Sequence, residues 1–127
     1  MTFMRIRLEA ARSREFPEGS THHGYSFVLP LNGDGKLDRA AFAHDPQICT
    51  VRRFWGGEDD EVGHLIKNRG GRFAFSFRED EEPIHRLDEH VFRAGEYLSV
   101  KEPDGKIYAF KVTEVRPAPG LATKRGG

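Results

Sequence analysis

The chain has a single cysteine, Cys49, so no disulfide can form within it and packing alone must hold the fold. Long apolar runs are missing as well. Arg5 and Arg7 interrupt the first apolar residues before a signal-peptide core can form, and no later stretch approaches the roughly 20 apolar residues that span a bilayer. Net charge is also absent, since 20 Lys and Arg balance 20 Asp and Glu, which removes any overall attraction to nucleic acid or anionic lipid. Together these absences predict a cytoplasmic protein with no membrane partner.

Catalytic signatures are lacking too. No G-x-S-x-G, Walker or dinucleotide fingerprint occurs, and neither H-x-x-x-H nor C-x-x-C is present. The run Asn32-Gly33-Asp34-Gly35 imitates the middle of an EF-hand loop. With Gly35 as the sixth position, however, the first ligand position is Pro30 and the twelfth is Ala41, so both end carboxylates are missing and a Gly/Asp turn is the better reading. The histidines do not converge. His22 and His23 are adjacent, which sends their rings to opposite sides of an extended chain, and the spacing of His85 and His90 suits one face of neither strand nor helix. Cys49 reads as a buried inert thiol unless a histidine lies beside it in space. The sequence therefore assigns no catalytic residue, no metal ligand and no cofactor.

What is present is a β pattern. At 127 residues the chain suits one domain, and its ten Phe, three Tyr and one Trp supply large apolar side chains, each able to bury on the order of 150–250 Å². Apolar residues alternate with period two in short runs separated by Gly, Pro, Asn and Asp. Met4, Ile6 and Leu8 share one face, Arg5 and Arg7 the other. Tyr25–Leu31 is apolar on both faces, as in a strand covered twice. Thr50–Trp55, Val62–Lys67 and Arg72–Arg78 form a meander, with Phe73, Phe75 and Phe77 inward. The final hairpin pairs Leu98 and Val100 with Tyr108, Phe110 and Val112 across Pro103-Asp104-Gly105-Lys106. Residues 37–44 suit a short helix stopped by Asp45-Pro46, with a short strand as the competing reading. The sum is an all-β, single-domain antiparallel barrel of about seven strands over residues 1–116, followed by a mobile tail over 117–127.

The segment Phe92-Arg93-Ala94-Gly95-Glu96-Tyr97-Leu98-Ser99-Val100, with the Asp104-Gly105 turn and the strand ending Phe110-Lys111-Val112, resembles the small barrel of translation proteins, such as the second domain of elongation factor Tu. The likeness covers about a quarter of the chain and implies a barrel without carrying over any functional residue. The chain is also similar to a group of small uncharacterised bacterial proteins, which implies no chemistry.

Eight acids fall in two tetrads, Glu58–Glu61 and Glu79–Glu82, leaving 20 basic against 12 acidic residues elsewhere, a formal +8. Charge runs of this kind are usually solvated loops. The outward strand positions Arg5, Arg7, Arg72, Arg78, Lys101 and Lys111, with Trp55 as a neighbouring aromatic, suit phosphate and base contacts, so a non-catalytic module binding RNA or protein is the leading expectation. The alternative is a small-molecule enzyme or ligand carrier using the barrel mouth, with His64, Arg52, Arg53 and His90 as its polar groups. Of these, His64 is expected to be a core-edge histidine with a hydrogen-bond partner. Partner, substrate and oligomeric state are not encoded in any motif.

Overall fold

The computed structural model describes residues 2–118 apart from Glu79 and His85. Eight strands are formed among the described residues: β1 (Thr2–Ala10), β2 (Ser20–Leu31), β3 (Thr50–Trp55), β4 (Glu61–Lys67), β5 (Phe73–Ser76), β6 (Glu81–Pro83), β7 (Tyr97–Lys101) and β8 (Ile107–Pro117). All pair antiparallel, in the spatial order β6-β5-β4-β3-β2-β1-β8-β7. Strands β1 to β6 therefore pair in sequence order, β7 pairs with β8, and β8 returns to β1. The two edges, β6 and β7, meet through one antiparallel bridge, Ile84 to Val100. The result is an up-and-down barrel, closed except for a thin seam.

The alternation read from the sequence fixes which side chains point inward. Ile6 and Leu8, Tyr25 and Phe27, Val51, Leu65, Phe75, Leu98 and Val100, and Phe110 and Val112 are all buried. The Phe75 ring touches both Tyr25 and Phe27, with centroids 4.8 and 5.1 Å away. Each such aromatic stabilises the fold by roughly 1.5–3 kcal/mol through burial. Phe27 to Leu31 are buried on both faces, as their two-sided apolarity requires. Two glycines permit close strand approach. A Cβ on Gly24 would sit 1.9 Å from the Leu8 carbonyl oxygen, and one on Gly63 2.0 Å from that of Ser76.

The helix α1 spans Arg39–His44; the Asp38 carboxylate caps it by accepting from the Ala41 N–H, and Asp45 ends it. This matches the helical reading of residues 37–44, although Leu37 itself bridges to Leu31. The Asn32 side chain accepts from the N–H groups of Asp34 and Lys36, so the EF-hand look-alike is an Asx turn. Cys49 is fully buried, and burial pushes its thiol up to about 12, which leaves it protonated and unreactive at neutral pH.

The expectation of about seven strands misses β6. A run of four acids suggests a solvated loop, but Glu81–Pro83 is a strand paired with β5, and Glu82 stands opposite Phe75 inside the barrel. At the other end, β8 runs through Pro117 and the Ala118 N–H donates to the Phe3 carbonyl. The remainder of the expected tail, 119–127, lies outside the described residues. No helix among them is long and apolar enough to cross a membrane.

Candidate functional site

Two polar constellations stand out, one inside the barrel and one on its outer wall. The inner one follows from register. Tyr25 and Arg53 are direct cross-strand partners on β2 and β3, so both project inward at one level. Glu82 projects inward from β6, and Glu102 continues the inward parity of Leu98 and Val100 one position beyond β7. Arg53 is 8% exposed, Glu82 0% and Glu102 4%.

These four groups form one network. The Tyr25 hydroxyl is hydrogen-bonded to both Glu82 Oε1 and Glu102 Oε2. Arg53 donates to Glu102 Oε1 from Nε at 3.2 Å and from a terminal nitrogen at 2.9 Å, whereas its Nε lies 3.8 Å from Glu82 Oε2. That oxygen of Glu82 is buried with no hydrogen-bond partner among the described residues. Burial raises Glu82 to about 7; the Tyr25 hydrogen bond opposes the shift, and the Glu102 charge adds to it. Burial likewise raises Glu102, against the hydrogen bonds from Tyr25 and Arg53. The Tyr25 phenol is held far above its usual range, by burial first and then by the two carboxylates.

An aromatic plug closes the mouth above this network. The loop 11–19 lays Phe16 against His23, Trp55 and Tyr108, with centroids 4.6, 5.9 and 6.0 Å away. Arg53 stacks on the Trp55 ring at 4.2 Å. The Ser20 hydroxyl lies 2.7 Å from His23 Nδ1, and burial, with the charges of His22 and Arg53, lowers the His23 pKa. His22 is exposed, so the adjacent histidines diverge as their extended spacing predicts.

The outer constellation is a groove of about 450 Å³ running across β8, β1, β2, β3 and β4. Register builds it too: Glu114, Arg7, Ser26, Arg52 and Val62 form one cross-strand row, and Arg116 and Arg5 are partners in the next. Ser26 is the small residue between two arginines that leaves the row concave. Arg7 pairs with Glu9 at 2.8 Å and stacks over Phe54 at 4.2 Å. Arg52 lies 3.6 Å from Asp60, and Arg116 3.5 Å from Glu114. Arg5 makes no ion pair among the described residues.

No family model, no curated protein and no solved structure matches this chain.

The residues singled out from sequence separate on the barrel. Arg5 and Arg7 join Arg52 and Arg116 in the outer groove. Arg72 and Lys101 line a different groove of about 480 Å³ beside the seam, Lys111 lines a third, and Arg78 is exposed beyond β5. Their shared outward parity does not make one surface, because barrel curvature distributes them around the wall. Trp55 is not an outer neighbour of the basic positions; it faces the mouth, and Phe54 is the outer aromatic. The proposed mouth set is also split. Arg53 is inside, but Arg52 points outward on the next parity position. His64 is not at the core edge: Gly63 and Leu65 take the interior, leaving it exposed beside Val62 and Ile66. His90 lies elsewhere, its ring 6.4 Å from Phe92. Tyr25, Glu82 and Glu102 were missed. Extending the parity of Val100 by two would have found Glu102, whereas nothing distinguishes Glu82 within its tetrad.

Proposed function

We propose that this barrel is a non-catalytic binding module that docks the phosphate backbone of single-stranded RNA in its outer arginine groove. The observation that carries this reading is the convergence of Arg5, Arg7, Arg52 and Arg116, from three strands, on one concave surface. Guanidinium groups match phosphate oxygens in planar, bidentate geometry, and Phe54 beside Arg7 offers a ring for base stacking. The acids nearest the groove, Glu9, Asp60 and Glu114, hold three of these arginines in place and moderate their charge, so affinity is modest and strongly salt-dependent. Fluorescence anisotropy with a labelled single-stranded RNA tests it. Binding should weaken as salt rises, and reversing Arg5 and Arg7 to Glu should lower affinity and flatten the salt slope by about one unit per lost contact. Absence of RNA association even at low salt overturns the reading and leaves an acidic protein segment as the partner to test. A ligand carrier at the mouth is the second reading, supported by the Glu82 oxygen that has no hydrogen-bond partner among the described residues; Phe16, Trp55 and Tyr108 fill that mouth in this structure.

A further inference from the structure

We propose that Glu82, Tyr25 and Glu102 form a buried proton-binding site that latches the barrel seam: one proton held in the triple keeps β6 against β7, and its loss loosens them.

A phenol carries one hydrogen, yet the Tyr25 oxygen is hydrogen-bonded to two carboxyl groups. It donates to one and must accept from the other, and a carboxyl group donates only when protonated. Arg53 decides which is which. Its two bonds to Glu102 Oε1 hold Glu102 as the carboxylate, whereas at 3.8 Å from Glu82 Oε2 it makes no such bond there, and no other described residue donates to that oxygen. The extra proton therefore sits on Glu82. The chain runs from the Glu82 hydroxyl to the Tyr25 oxygen, from the Tyr25 hydroxyl to Glu102, and from Arg53 to Glu102. One guanidinium then balances one carboxylate, and the buried group is neutral overall.

Removing the proton breaks this arrangement. Two carboxylates would share one phenolic hydrogen and one guanidinium, with a net negative charge out of water. Among the described residues, the other charges facing the site do not relieve it. From β4, Glu61 adds negative charge beside Glu82; from the β3–β4 turn, Glu58 draws on Arg53 at 3.7 Å; from the β7–β8 turn, Asp104 adds to Glu102. His23, on β2 near Arg53, has its protonated form disfavoured.

Position makes this proton a latch. Glu82 lies on β6 and Glu102 directly follows β7, the two edges that among the described residues share a single backbone bridge, Ile84 to Val100. Tyr25, reaching across from β2, ties both edges together through the protonated link. Loss of the proton puts like charges on the two sides of the weakest joint in the barrel.

Hydrogen exchange by mass spectrometry on the full chain tests this, with rates corrected for intrinsic pH dependence. Between pH 5 and pH 7.5, opening of segments 80–86 and 97–102 should rise at least about tenfold relative to segment 20–31 in the wild type. Glu82→Gln, which is neutral at every pH, should abolish that rise. Equal seam protection at both pH values, or the same rise in Glu82→Gln, overturns the proposal. Should Glu82→Gln not fold, carbon-13 NMR of the wild-type glutamate carboxyls decides: one resonance should titrate near neutrality, and a spectrum in which every carboxyl titrates between pH 4 and 5 rules the latch out.

Discussion

Arg52 and Arg53 are neighbours in sequence and opposites in the fold. Arg52 points outward, half exposed, 3.6 Å from Asp60. Arg53 points inward, bound to Glu102 and stacked on Trp55. The strand's period of two separates them onto two faces, and solvent does the rest. On the outer wall water screens each charge, so an ion pair there contributes roughly 0–1 kcal/mol and the arginines remain free to meet a ligand. In the interior each charge depends on its partners, and removing one strands the others. The same residue type thus serves recognition on one face and architecture on the other.

Removing each arginine in turn should separate the two faces most widely. Arg53→Met leaves Glu82 and Glu102 buried without a cation, and urea denaturation should show a loss of about 3–5 kcal/mol at neutral pH. The loss should shrink toward pH 5, because both carboxyls can then take protons. Arg52→Met should change stability by under about 0.5 kcal/mol at either pH. Equal costs for the two variants would mean that the interior network does not depend on its cation.

The stability of the unaltered protein should itself depend on pH. Glu82 is raised in the fold from 4.5 to about 7, so the native state holds a proton that the unfolded chain releases. Its contribution is fully present below pH 4.5 and is lost as pH rises to about 7, at roughly 1.4 kcal/mol per pH unit where the proton difference is complete. Over that window the slope of stability against pH should be negative in the wild type and close to flat in Glu82→Gln. A wild-type slope no steeper than that of the variant would show that Glu82 titrates normally. Tyr25→Phe should cost about 1–3 kcal/mol, since it removes the group that both carboxyls bond, and no exposed tyrosine such as Tyr97 should approach that cost.

Much of this architecture was legible in the chain itself, because alternation is a local signal. Phe73, Phe75 and Phe77 declare their face without help, as do Tyr108, Phe110 and Val112. What alternation does not specify is how far around a closed wall two outward residues lie; Arg7 and Lys111 share parity and line different grooves. Polar residues on the inward face were harder still. Arg53 and Glu102 continue apolar parities and were recoverable by extending them. Glu82 was hidden because a run of four acids reads as solvated, and only the pairing of β6 with β5, a non-local event, turns one of them inward. His64 failed for the converse reason: flanked by Val62 and Ile66 it looks half-buried, yet Gly63 opposite Val51 and Leu65 opposite Phe75 give the interior to the other parity.

The finest discrimination comes from a glutamate on each face. Glu102→Gln removes the carboxylate that Arg53 is bonded to inside the barrel, whereas Glu114→Gln removes an exposed one lying 3.5 Å from Arg116. The outer change should leave stability within about 0.5 kcal/mol, since a solvated pair of this kind contributes little. Its effect belongs to binding instead. Among the described residues Glu114 is the one carboxylate lining the arginine groove, and within a Debye length of roughly 8 Å at physiological salt its charge opposes an incoming phosphate. Neutralising it should strengthen RNA association by a few-fold at low salt, with the gain fading as salt is added. A measured loss of affinity would mean that Glu114 positions Arg116 more than it repels the ligand, and the groove's recognition would then rest on paired rather than free guanidinium groups.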